Sequence, residues 1–74
     1  MRGGHIQMRI GDALRARREA LGMSQVRLAK RLRMHRTYYS AIERGLKDFQ
    51  IETLERICLK LGVHPWEILK DAEI

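Results

Sequence analysis

A single cysteine, Cys58, leaves this 74-residue chain without any internal disulfide to staple it. The three histidines, at positions 5, 35 and 64, have neither the spacing nor the cysteine partners of a zinc site, so no metal or other cofactor is expected. No apolar run exceeds three residues, as in Ile57-Cys58-Leu59, which argues against a membrane span or a signal-peptide core and for a cytoplasmic location. Period-two alternation is nearly absent, so strands are not expected. Aromatic residues are only 5% of the chain, too few to form the stacking platform of an RNA-binding sheet. The polar residues do not group as a nucleophile with its base or as paired carboxylates, and the chain does not read as an enzyme.

Positive charge is plentiful. The formal net charge is +6, and it is unevenly placed. Residues 1–47 hold twelve Lys or Arg against three acids, whereas residues 48–74 hold three against six. A basic first part and a mildly acidic second part suggest that the first meets a polyanion and the second associates with another copy. A domain this small is only marginally stable alone, which also favours a dimer.

The chain reads as all-α with five helices. Met1–Met8, with two glycines and no periodicity, is expected to be a flexible leader, leaving residues 9–74 as the one domain. From Arg9, Ile10, Ala13, Leu14 and Leu21 follow helical spacing up to Gly22, a C-terminal stop. Ser24 caps a second helix with Leu28, Ala29 and Leu32 inward. A third runs from about Arg36 to Arg44, before Gly45. Ile51, Leu54, Ile57, Cys58 and Leu61 form the apolar stripe of a fourth, closed by Gly62. His64-Pro65-Trp66-Glu67 opens a fifth, with proline at its first position and Glu67 near the positive end of the dipole.

The second and third helices are joined only by Arg33–His35, the spacing of a DNA-binding helix-turn-helix. At about 100° per residue, Tyr39 and Ile42 turn to the core while Arg36, Thr37, Ser40, Ala41 and Arg44 project from the other face. Arginine pairs with guanine edges, hydroxyls bond several bases, and a methyl fits against thymine. Tyr38 lies between the faces and suits either a DNA edge or a plain exposed ring.

Ile10, Leu14, Arg18, Gly22, Ser24-Gln25, Leu28-Ala29, Leu32, Ile42-Glu43-Arg44-Gly45, Leu54 and Leu61-Gly62-Val63 together resemble the phage-repressor-like (Cro/repressor, xenobiotic-response-element) helix-turn-helix family. The resemblance covers about residues 9–70. It implies the five-helix lambda-repressor-like fold with the third helix in the major groove of double-stranded DNA, and it implies roles. Gln25 would hold a phosphate, Arg36, Thr37 and Ala41 would read bases, and Arg44 and Lys47 would touch phosphates. Arg18 and Glu43 would form a semi-buried salt bridge. Arg36–Ser40 also resembles the recognition helix of restriction-modification controller proteins. The departures are Arg33, where the family has a turn glycine, and His35 and Gln50, which are poor helix caps.

The expected function is therefore sequence-specific transcriptional regulation, as a repressor or autoregulator, by a homodimer on a near-palindromic operator. The alternative is an antitoxin-type interaction module. With no room for a sensor domain, no small-molecule effector is expected. Leu59 falls off the apolar stripe of its helix, and Trp66 and Leu69 share a side of theirs, so these three are the expected dimer contacts. Trp66 fits a satellite core equally well, and Cys58 reads as a small core residue.

Overall fold

The computed structural model describes residues 4–74 as five helices: α1 (Gly4–Ala20), α2 (Gln25–Leu32), α3 (Arg36–Glu43), α4 (Ile51–Leu61) and α5 (Pro65–Asp71). No strand occurs among the described residues. Each helix buries one stripe into a shared core, in which Leu14, Leu28, Leu32, Tyr39, Ile42, Leu54, Ile57, Cys58 and Ile68 are fully buried. Burial of a large apolar side chain contributes about 1.5–3 kcal/mol, so these few residues carry most of what opposes chain entropy.

Helix α1 starts earlier than its apolar periodicity suggests. Of the expected leader, Met1–Gly3 lie outside the described residues, and Gly4–Met8 are the first turns of α1 rather than a flexible arm. The reason is tertiary. Gln7 Nε2 donates to Asp48 Oδ1 at 2.6 Å, Ile6 borders a groove with Phe49 and Ile51, and Met8 packs on Gly45.

Helix ends repeat one device. After α1, α2, α3 and α4, a residue with positive φ lets the following amide reach back five positions, as in Met34 N–H to Ala29 O at 2.9 Å and Leu46 N–H to Ala41 O at 2.9 Å. Glu73, at φ 60°, does the same after α5, so of the five described positive-φ residues three are glycines and two, Glu73 and Arg33 at φ 54°, are not. At the other ends, Ser24 Oγ accepts from Arg27 N–H at 3.1 Å, and Glu67 accepts from His64 N–H at 2.9 Å. His35 and Gln50 give their helices no side-chain cap.

Two apolar residues read as inward are not. Leu21 lies past the last turn of α1, and Ile51 is the first residue of α4, where the chain has not yet reached the core; Ile51 is 67% exposed.

Candidate nucleic-acid interface

Helices α2 and α3 pack directly on each other and meet at the short turn Arg33–His35. Arg33 closes α2 in the left-handed conformation and sends the chain straight into α3, whose Tyr39 and Ile42 seat it on the core. The outer face of α3 is thereby fixed. Arg36, Thr37 and Arg44 are exposed on it, Ser40 is half-buried, and Lys47 follows, exposed, in the loop to α4. Among the described residues, Arg36, Arg44 and Lys47 have no ion-pair partner. Their charge is left to attract an anion.

Tyr38 is half-buried and leans on the core. Ala41 departs from the helical-wheel reading. Although it lies on the side of Thr37 and Arg44, it is only 8% exposed and stands outside the central core cluster. The chain folds back after Gly45 so that the Leu46 amide bonds to the Ala41 carbonyl.

Beneath this face, Arg18 of α1 clasps Glu43, the last residue of α3. The guanidinium donates from Nε to Oε2 at 2.7 Å and from Nη2 to Oε1 at 3.0 Å, and Nη1 donates to Met23 O at 2.7 Å. Their side chains are 8% and 1% exposed. The Arg18 pKa is raised by its hydrogen bonds to Glu43, against the desolvation of burial. Burial alone pushes the Glu43 carboxyl up, but the hydrogen bonds of Arg18, then the neighbouring Tyr39 hydroxyl and the Gln25 amide, outweigh it and hold the carboxyl below its ordinary value. The Tyr39 hydroxyl, buried beside the pair, makes no hydrogen bond of full quality, and desolvation drives its pKa far up. The site thus contains a fixed ion pair and a neutral phenol.

Gln25, at the first position of α2, donates from Nε2 to Glu43 Oε1 at 2.9 Å. The amide expected to meet a phosphate is therefore also tied to the ion pair, which orients it. This link was not readable from sequence, because residues so far apart in the chain share no local spacing. Nor was the role of Gly11. A Cβ there would fall 2.7 Å from the Ile42 carbonyl oxygen, so the glycine lets α1 lie directly on the end of α3.

The three expected dimer contacts do not line one surface. Leu69 borders a groove with Ile6, Ile10, Phe49, Ile51 and Leu54, whereas Leu59 borders another with Val63, His64 and Pro65. Trp66 borders neither of these grooves and stacks on His64, their ring centres 6.4 Å apart. Among the described residues, no cluster of three or more His, Cys, Asp or Glu is placed to hold a metal, and no helix is long and apolar enough to cross a membrane.

A helix-turn-helix family matches residues 14–67. The control protein C.MunI of a Mycoplasma species is 36% identical over 69 residues, covering 92% of this chain and 93% of that protein. The control protein C.BamHI of Bacillus amyloliquefaciens is 38% identical over 66 residues, covering 88% of this chain and 82% of its own. Among solved structures, the clp gene regulator ClgR of Corynebacterium glutamicum superposes with a TM-score of 0.90 at 32% identity, covering 92% of this chain and 87% of that one. The restriction-modification controller protein C.AhdI of Aeromonas hydrophila superposes with a TM-score of 0.80 at 29% identity, covering 84% of this chain and 94% of that one. With a family match across most of its length, relatives that are regulators and the same five-helix fold, the chain belongs to the Cro/repressor-like helix-turn-helix family and is a DNA-binding transcriptional regulator.

Proposed function

We propose that the protein is a controller-type autoregulator that binds a near-palindromic operator as a homodimer and acts by occupancy, without catalysis or a cofactor. The observation that carries this reading is the outer face of α3, where Arg36, Thr37 and Ser40 stand on a helix locked to the core by Arg18 and Glu43, with unpaired Arg44 and Lys47 beside them. Arg36, Thr37 and Ser40 read base edges, with Tyr38 reaching the rim of the groove. Arg44, Lys47 and the oriented Gln25 hold phosphates on either side. Ala41, only 8% exposed, contributes shape rather than a base contact.

Two copies are needed for a palindrome. Half-sites of such dimers lie about 34–36 Å apart, while the longest dimension of this molecule is 33 Å, and each copy offers one α3. The surface best suited to the two-fold is the groove bordered by Ile6, Phe49, Ile51 and Leu69, because the loop carrying Arg44 and Lys47 runs directly into Ile51. Of the residues first expected at the interface, Leu69 lines that groove; Leu59 lines the other one, and Trp66 lines neither and stacks on His64. Selection of bound duplexes from a random-sequence library tests the reading. An inverted repeat with half-sites about one helical turn apart is expected; a pool without consensus, or a single unrepeated half-site, contradicts it.

A further inference from the structure

Leu59 is 75% exposed, the most exposed large apolar residue among those described, and neither the core nor the groove at Ile51 uses it. It lies eight residues along α4 from Ile51, about 12 Å away on the helix rise. Around it the turns at Gly22 and Gly62 bring together the end of α1, the outer side of α2 and the end of α4. They enclose an open groove of about 400 Å³ bordered by Leu21, Met23, Arg27, Arg31, Leu59 and Lys60. Three cations rim an apolar floor, and no acid lines it. Among the described residues, none of the three has an ion-pair partner, and the nearby Glu19 is already engaged by Arg15 at 3.1 Å. Arg27 and Arg31, four apart on α2, form one row. No residue of α3 contributes to this groove, so it is separate from the DNA-reading face.

We propose that this groove docks an acidic, amphipathic segment of a partner protein, its apolar side chains on Leu21, Met23 and Leu59 and its carboxylates against Arg27, Arg31 and Lys60. The charge alone would also suit a nucleic-acid backbone. The floor decides between them. Leucine and methionine offer no ring on which to stack a base, and a phosphate chain has no apolar side chain to bury there, whereas an acidic helix laid in a groove satisfies both parts of the surface. Such a segment would recruit or restrain a second protein at the operator without displacing DNA.

The test uses the free full-length protein and labelled peptides of about sixteen residues, one acidic with leucines at helical spacing and one of glutamate alone with equal charge, beside an oligouridylate of equal charge. Trp66, the sole tryptophan, is exposed and stacked on His64, a residue that borders a groove with Leu59, so its fluorescence is followed alongside peptide anisotropy. The amphipathic peptide is expected to bind about tenfold tighter than either comparison ligand, with amide shifts centred on Leu21, Leu59 and Lys60. Leu59→Ser, a change at an exposed site, should weaken it about tenfold while leaving duplex affinity within about twofold, and Arg31→Glu with Lys60→Glu should abolish it. Absence of binding, equal or tighter binding of oligouridylate or polyglutamate, indifference to Leu59→Ser, or shifts centred on the Ile51 groove would each overturn the proposal.

Discussion

Removing Glu43 strands a guanidinium in a place that water does not reach, and the loss then exceeds whatever the intact pair contributes. With the two side chains 8% and 1% exposed, Glu43→Ala is expected to cost about 3–5 kcal/mol, most of the stability of a domain this size. A thermal melt within a few degrees of wild type would contradict the burial. The same residue sets an acid limit. Its folded pKa lies below the ordinary value of 4.5, so its stabilisation is complete above that value and is lost as pH falls through the lower, folded one. Urea melts from neutral pH down to about pH 3 should therefore show stability falling only on the acid side of the ordinary carboxylate range, with a shallower fall in Glu43→Gln. At this scale the sequence is readable wherever a side chain's role follows from its own helix. Arg36, Thr37 and Arg44 stand exposed as the helical wheel requires, and Cys58 is buried, its thiol pushed up to about 11. Ala41 and Gln25 were not readable, because the packed fold buries one and a distant carboxylate holds the other.

Elements are where local rules and tertiary demands compete, and two glycine-related positions expose the contest. Arg33 accepts a left-handed backbone that costs a side-chain-bearing residue about 1 kcal/mol, in the turn that sets the angle of α3. Arg33→Gly should raise stability by roughly 0.5–1 kcal/mol. An unchanged or lowered urea midpoint would mean that the arginine side chain contributes as much as the backbone strain costs. Gly11 poses the opposite case, since alanine inside a helix ordinarily stabilises by up to about 1 kcal/mol. Here the added methyl meets the backbone at the end of α3, and Gly11→Ala should instead destabilise by about 1–3 kcal/mol. A more stable variant would show that α1 and α3 do not lie that close. All five helices announce themselves through glycine stops, Ser24 and Pro65. The early start of α1 does not, for it depends on Asp48, Gly45 and Phe49, which periodicity within α1 cannot reveal.

For the whole molecule, the division of labour follows the charge. The basic first part carries the face proposed to read DNA, and the groove at Ile51 and Leu69, next to it, is the proposed two-fold contact. Ile51→Glu with Leu69→Glu should give a monomer by sedimentation at micromolar concentration and lose operator affinity, whereas Leu59→Glu should still dimerise; the reverse pattern would move the interface to the Leu59 side. That assignment depends on which apolar residues share a groove, a property of the packed molecule that spacing within α4 and α5 does not contain. The account as a whole turns on whether α3 reads sequence or merely carries charge. Wild type, Arg36→Ala and Lys47→Ala should be titrated against the selected operator and a random duplex at one fixed salt concentration. Arg36→Ala is expected to lose about 1–3 kcal/mol on the operator and far less on random duplex, while Lys47→Ala weakens both alike. Equal losses on the two duplexes for both variants would contradict base reading by α3.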